Sequence, residues 1–443
     1  MYQSAFIFLL LLPLSVETYS QSIDPVSMNN DSYFIVDSIQ IIGNDVTEEF
    51  VILDELTFSK GDSVTTVELD YNRERIYSLG IFTTVKIIPL RLNQLNIIEI
   101  NVEESWYIYP IPFAELKDKD WDKISFGIDL IIQNFRGRNE LLKLKGSLGF
   151  EKSLHINYIN PNLIKDENIF LRTSLLYRNV KNKSLTAETL AGYDFEQKNI
   201  AADLTIGKRF GLFQRAGISF RFDYIETPFF IKGINASNSR IDRYPTLGLT
   251  YSYDTRDLVQ FPKEGIFFST ILDFKGLGIN DINYQILSLD FREYRKVFDE
   301  LISKWRVTTR QTFGELIPFY DYSFLGFGER IRGHFSEQQE GDSYYLASLE
   351  FYYPFVKDFS LALTFIPLVP ENLLTYRVAV YGQLFGDTGF TKFKSSPVSL
   401  KDFNTGFGTG LTVLVLPYNL IRFELAFDEG FNLEYIIDLG ISF

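Results

Sequence analysis

The carboxy-terminal stretch alternates: Tyr435, Ile437, Leu439, Ile441 and the terminal Phe443 are separated by Ile436, Asp438, Gly440 and Ser442. Successive side chains of a strand point to opposite faces, so this period of two describes a strand with one apolar face and one mostly small or polar face. The same period recurs upstream. Leu247, Leu249, Tyr251 and Tyr253 alternate with Gly248, Thr250, Ser252 and Asp254, and Ile421, Phe423, Leu425 and Phe427 alternate with Arg422, Glu424, Ala426 and Asp428. Leu142, Leu144, Leu148 and Phe150 fall opposite Lys143, Lys145 and Ser147. Strands apolar on one side and polar on the other, ending on an aromatic carboxy terminus, predict an all-β membrane barrel with lipid outside and a polar lumen inside.

Dividing the chain at its turn signals gives candidate strands starting near 123, 139, 153, 168, 184, 199, 212, 243, 265, 283, 301, 343, 359, 373, 403, 419 and 431. Closure asks for an even number. The stretch 359–386 contains Pro367 and Pro370 and reads as one hairpin arm plus a loop, which leaves about 16 antiparallel strands within 105–443. Two connections are long, roughly 224–242 and 315–342.

Before the barrel the period changes. Phe34, Val36, Ile39 and Ile41 supply a strand that Gly43-Asn44 breaks; Thr47 is placed to cap a short helix running through Leu56. Thr65 and Glu68 have capping-box spacing ahead of a second helix with Leu69, Ile76 and Leu79 on one face, stopped by Gly80. Two strands follow, Phe82 to Leu90 and Leu95 to Val102, around a turn at Asn93-Gln94. Residues 33–104 therefore read as one small α+β domain. Ahead of it, the apolar stretch Ala5 to Leu14, roughly 10 residues, is too short to span a bilayer and reads as part of a secretory signal over 1–20. Its start, Met1-Tyr2-Gln3-Ser4, lacks the usual Lys or Arg; the polar residues 21–32 read as a flexible lead-in.

Composition sharpens this picture. The chain is 16% aromatic, with 42 Phe and 26 Tyr, which suits the aromatic girdles of a barrel at both membrane interfaces. It has no Cys, and His155 and His334 are its only histidines, so thiol chemistry is excluded and histidine chemistry nearly so. With no nucleotide motif and no catalytic constellation, the expectation is no enzyme, no metal and no cofactor. A net charge of -14 argues against a nucleic-acid surface.

The segments IIGNDVT, FSKGDSV, RIYSLGIFTTVKI and IIEINVEE resemble a polypeptide-transport-associated (POTRA) domain, with Gly43, Gly61, Gly80 and Phe82 in the structural positions of that family. The resemblance implies a periplasmic domain that guides extended polypeptides by strand addition to its sheet edge; a plain spacer is the alternative. The segment RIRGHF resembles the loop-six signature of the bacterial surface antigen superfamily of POTRA-plus-barrel outer-membrane proteins, the group of BamA, TamA and FhaC. Arg332 and Gly333 match the motif, and His334 is interposed before the aromatic Phe335. Asn134 to Gly137, Tyr158 to Pro161, the run Asp254 to Gly265, FGDTG from Phe385, GFGTGL from Gly406 and the aromatic terminus follow in the family's order.

That resemblance implies that loop six folds back into the lumen and docks Arg332 on an acid of the wall, Asp387 being the matching residue. Asp290, Arg292, Arg306, Arg310, Arg422 and Glu424 are further inner-wall charges, open between docking and plain solvation. It also implies the outer membrane of a Gram-negative bacterium, with the POTRA domain in the periplasm. Implied partners are outer-membrane lipid, unfolded or extended polypeptide clients at the domain and the barrel seam, and accessory lipoproteins. The seam is expected where a first strand near Lys123 to Asn134 meets the last, near Phe431 to Phe443. The leading expectation is insertion or translocation of polypeptides; a two-partner-type secretion transporter, a solute or lipid channel, and a structural surface antigen stay open.

Overall fold

The structure is a computed structural model that describes residues 24–25, 33–116, 124–326, 328–334, 337–363, 371–394, 397, 399–417 and 419–439. The predicted signal over 1–20, Phe335, Ile441 and Phe443 lie outside the described residues. Of the lead-in, Asp24 and Pro25 pair with Arg91 and Leu90 at an edge of the N-terminal sheet.

The N-terminal domain follows the predicted order. A strand at Ser38–Ile42 is succeeded by helices Glu49–Leu53 and Thr66–Tyr77 and by strands Phe82–Leu92 and Leu95–Glu104. Ser38–Ile42 pairs in parallel with Leu95–Glu104, which pairs antiparallel with Phe82–Leu92. Thr65 and Glu68 form a reciprocal capping box at the second helix, as their spacing predicts. Leu69, Ile76 and Phe82 are buried in the domain core. Gly43 has φ +88°, and a Cβ there would lie 2.0 Å from the carbonyl oxygen of Val102, so only glycine lets the chain leave the sheet at this point. Gly61 and Gly80 also have positive φ. Thr47 does not cap the first helix. Glu48 stands at the N-cap without a side-chain bond, and the Thr47 hydroxyl instead donates to Glu104 Oε1 at 2.6 Å.

The barrel is one antiparallel sheet of sixteen strands in simple sequential order. Strands one to eight are Ile108–Leu116, Ile124–Phe135, Glu140–Gly149, Lys152–Ile164, Ile169–Lys181, Glu196–Phe210, Gln214–Glu226 and Ile241–Asp254. Strands nine to sixteen are Gly265–Lys275, Tyr284–Phe298, Leu301–Gly314, Ser343–Ala362, Thr375–Lys392, Asn404–Leu416, Asn419–Asp428 and Leu433–Leu439. The predicted count is met through two errors that cancel. The segment starting at 184 is a helix, Leu185–Ala191, capped by the Ser184 hydroxyl and ended by Gly192 at φ 81°. The strand that replaces it, Ile108–Leu116, carries Pro110 and Pro112, which read as a break because proline cannot donate to a ladder. An edge strand tolerates proline, and this strand is an edge. The predicted first strand near Lys123 is therefore the second, enclosed on both sides by Ile108–Leu116 and Glu140–Gly149.

Alternation sorts the side chains as predicted. Phe423 and Leu425 are exposed on the outer face, while Arg422, Glu424 and Ala426 are buried inside. Phe423→Arg is expected to lower barrel stability by about 2–4 kcal/mol if the residue sits near the bilayer midplane. Urea unfolding in lipid vesicles measures this, and an unchanged midpoint would contradict the facing.

Candidate functional site

The connection between strands eleven and twelve, from Glu315 to Asp342, turns back into the lumen. Gly326 at φ 109° begins the turn, its N–H donating to the Glu329 carbonyl at 2.8 Å. Leu325 and Ile331 then bury against Leu346 of the wall. This apolar clamp sets the next residue, Arg332, among acids on three different strands. Its Nε lies 2.6 Å from Asp387 Oδ2 and its Nη2 2.7 Å from Asp387 Oδ1, a planar fork on a planar carboxylate. Nη1 reaches Glu424 and Nη2 reaches Glu350, each at 3.1 Å, and the backbone N–H donates to Asp387 Oδ2 at 3.1 Å. The guanidinium carbon stands 3.8 Å from the centroid of the Phe385 ring, so one face is covered by an aromatic.

All of these groups are buried, Arg332 at 6% exposure and Glu350 at 0%. Burying charge is costly unless opposite charges and hydrogen bonds compensate. Lys304 Nζ supplies a second cation, 2.9 Å from Glu350 Oε1, and buried Arg422 acts on Glu350 through space. Three cations, Arg332, Lys304 and Arg422, thus balance three anions, Asp387, Glu350 and Glu424. Tyr352 donates to the remaining oxygen of Glu350, and Gln383 donates to the same Glu424 oxygen that Arg332 holds.

The loop has two further anchors. Arg306 forks onto Glu329 of the loop at 2.7 and 2.8 Å while also holding Asp290, which Arg292 grips from its other side. Arg310 donates to the Asp321 carbonyl at 2.7 Å and to Ser323 Oγ at 3.0 Å. Of the inner-wall charges singled out in the sequence, Arg306, Arg310 and Glu424 touch loop six directly, and Asp290 and Arg292 are joined to it through Arg306.

Gly333, at φ 96°, lets the chain turn over strand fifteen, where a Cβ would lie 2.6 Å from the Phe427 carbonyl oxygen. His334 fills the position next to the motif. Its Nδ1 is 2.9 Å from Glu337 and its Nε2 2.8 Å from Glu429, on the hairpin between strands fifteen and sixteen. Carboxylates only accept, so both ring nitrogens must carry protons. Burial pulls the ring's pKa down, but the bonds to Glu337 and Glu429 outweigh it and raise it above the ordinary value. A raised folded pKa means that this link is fully present below the unfolded value, about 6.5, and is lost as pH rises through the folded one. Protection of the loop-six tip against hydrogen exchange is expected to fall between pH 6 and pH 9, and His334→Gln to abolish that pH dependence. An identical pH response in the variant would exclude the histidine as the cause.

At the end of the barrel nearest the N-terminal domain, the turn after strand eight inserts into that domain. Leu258 and Phe261 share one buried cluster with Ile76, Tyr77 and Ile81. Val259 N–H donates to Ser78 Oγ at 3.0 Å, and Arg377 bridges Glu74 at 2.6 Å and Asp358 at 2.5 Å. On the opposite side, Asn134 donates to Thr47 Oγ1 at 2.9 Å and Glu48 N–H to the Gly137 carbonyl at 2.8 Å. The domain is thereby tied to the rim at the turns after strands two and eight and at the base of strands twelve and thirteen. These contacts account for two of the sequence runs, Asn134 to Gly137 and Asp254 to Gly265.

Sequence reasoning placed Arg332 and Asp387, and the structure brings them together. It missed Glu350 and Lys304, which no local pattern distinguishes from other wall residues, and it singled out Phe385 as the start of FGDTG without its place over the guanidinium. It also missed why Gly406 begins GFGTGL: a Cβ there would lie 1.5 Å from the Arg332 carbonyl oxygen. Tyr435 and Ile437 are exposed on the outer face; Leu439 ends the last described strand.

Residues 134–442 match the Omp85 superfamily domain, and residues 34–105 match the POTRA family described as surface antigen variable number repeat. The chain belongs to the Omp85 superfamily. It is a POTRA-plus-barrel protein of the outer-membrane type. Among solved structures it is similar to BamA from Haemophilus ducreyi lacking POTRA domains 1–3, with TM-score 0.53 and 16% identity over 95% of this chain and 90% of that one. It also matches CdiB from Escherichia coli, with TM-score 0.49 and 9% identity over 97% of this chain and 91% of that one. A comparison with curated proteins by sequence finds no match. In this Omp85 barrel, then, loop six is held by a charge cage inside the lumen and the POTRA domain is fastened to the rim.

Proposed function

We propose that this Omp85 protein resides in the outer membrane of a Gram-negative bacterium, with its POTRA domain in the periplasm, and assists the insertion of polypeptides into that membrane. The observation that carries the reading is the combination of a loop docked inside the lumen with two sheet edges left unpaired among the described residues. Loop six is anchored to the inner wall through the Arg332 cage, which disfavours an open channel for solutes. Strands one and sixteen share no backbone pairing among the described residues, so the sheet has edges to which an extended chain can add. The POTRA sheet, fastened beside that seam, supplies a second edge for the same kind of substrate, and accessory lipoproteins would dock on that domain. The work is done by backbone hydrogen bonding, so the chain needs no cofactor and no catalytic group.

The test is reconstitution. Vesicles carrying the purified protein should accelerate folding of a urea-unfolded outer-membrane barrel added from outside, relative to empty vesicles. No acceleration, together with steady ion conductance through the reconstituted protein, would favour a channel instead.

A further inference from the structure

The inner wall beside the POTRA domain carries two cations that no acid answers. On strands six to nine, Arg209 stands directly opposite Arg215, Arg215 opposite Ser252, and Ser252 opposite Ser269. Directly opposed residues share a face, and like charges so placed repel. Arg209 is relieved by Glu55 of the POTRA domain at 3.0 Å. Arg215 has no such relief. On strand five, Arg172 faces the same space with the Phe170 ring beside it, 5.5 Å from the guanidinium carbon. By contrast, Arg221, Arg256, Arg292, Arg306, Arg310 and Arg332 each hold a carboxylate within 3.4 Å. Among the described residues, Arg172 and Arg215 hold none.

Both guanidiniums line a cavity of about 480 Å3 between the barrel wall and the POTRA domain, whose Arg75 and Ser78 border it from the other side. The carboxylates in its lining, Glu55 and Asp254, are already committed. Glu55 receives Arg75 at 2.5 Å and Arg209 at 3.0 Å, and both oxygens of Asp254 are taken by Arg256, at 2.9 and 2.8 Å. Four guanidiniums, those of Arg75, Arg172, Arg215 and Arg256, thus face two carboxylates, an excess of two positive charges. In a chain of net charge -14 this local surplus is not a by-product of composition. Ser252 and Ser269 add hydroxyls with no hydrogen-bond partner among the described residues. Charge gathered in a partly enclosed site is costly without a counter-charge.

We infer that Arg172, Arg215, Ser252 and Ser269 form a binding site for a phosphate-type oxyanion at the joint between barrel and POTRA domain. A phosphate group carries about -1.5 to -2 charges at pH 7, which matches the surplus. Its tetrahedral oxygens accept in several directions, and each guanidinium can meet two of them with parallel, charge-assisted bonds. The two free guanidiniums come from different strands, so a carboxylate, with both acceptors in one plane, suits them less well. Seated between the barrel cations and Arg75, the anion offsets the repulsion of Arg209 and Arg215 and draws the domain against the rim. The inference stands whether or not the protein inserts polypeptides.

The experiment is calorimetric titration of the full chain, purified in a phosphate-free detergent, with inorganic phosphate and in parallel with glycerol phosphate, the polar head of an anionic phospholipid. Saturable binding is expected, weakened at least tenfold in the Arg172→Gln, Arg215→Gln double variant and unchanged in Lys208→Gln, a surface cation paired with Glu167. Tighter binding of glycerol phosphate would assign the site to a lipid headgroup, and tighter binding of inorganic phosphate to the free anion. Phosphate should raise the thermal unfolding midpoint of the parent and leave that of the double variant in place. Without phosphate the double variant should be no less stable than the parent, because it removes a repelling pair. No saturable binding, equal binding by parent and double variant, or acetate competing as well as phosphate would overturn the inference. So would a double variant destabilised without ligand, since the two arginines would then serve the fold.

Discussion

Replacing Arg332 by alanine is expected to free loop six from the lumen and to lower barrel stability by about 3–5 kcal/mol, the range for orphaning a buried charge. The size follows from what is left behind. Asp387, Glu350 and Glu424 remain buried on strands twelve, thirteen and fifteen, with Lys304 and Arg422 as the cations nearest them. One net negative charge is then uncompensated in a buried site. Arg332→Lys should recover only part of the loss, since an ammonium cannot fork onto Asp387 while also reaching Glu350 and Glu424. Urea unfolding in vesicles and the folding-acceleration assay are the readouts, with Lys152→Ala on the barrel surface as the control. Equal behaviour of Arg332→Ala and Lys152→Ala would remove the cage from the account.

The contrast between what could be read from the chain and what could not has a physical pattern. Period-two alternation is local, so the outward face of strand fifteen was legible from Phe423 and Leu425 alone. Turn chemistry is local as well, and the Thr65 capping box behaves as spaced. Strand one was missed because Pro110 and Pro112 forbid a ladder on one side only, and which side a strand leaves unpaired is a property of the whole sheet. The helix Leu185–Ala191 was taken for a strand although Ser184 and Gly192 are cap residues; here the regular spacing of neighbouring strands was followed where the local signal was better. The cage was half legible. A motif points to Arg332 and Asp387, but Glu350 comes from a different strand and joins them only through the register of strands twelve and thirteen, which sets it opposite Phe385. Thr47 illustrates the converse: a residue with good capping chemistry is drawn by the fold to Glu104 and Asn134, where it helps fasten the POTRA domain to the rim.

Gly406→Ala is expected to match Arg332→Ala in severity, at about 3 kcal/mol, without removing any hydrogen-bonding group. A Cβ at 406 would occupy space 1.5 Å from the Arg332 carbonyl oxygen, a backbone atom that cannot rotate away. Either strand fourteen distorts or the tip of loop six withdraws, and withdrawal takes the guanidinium out of its cage. The two routes give different double-mutant behaviour. If the alanine expels the tip, Arg332→Ala has little left to break, and the double variant should fall short of the additive sum by about 2–3 kcal/mol. If the alanine only distorts the strand, the two losses should add. Gly386→Ala on the neighbouring strand thirteen, where an added Cβ meets nothing within 4 Å, separates a general loss of glycine from the specific clash. Additive losses, or equal losses for Gly386→Ala and Gly406→Ala, would show that loop six is held by its charges alone rather than by charges and a glycine seat together.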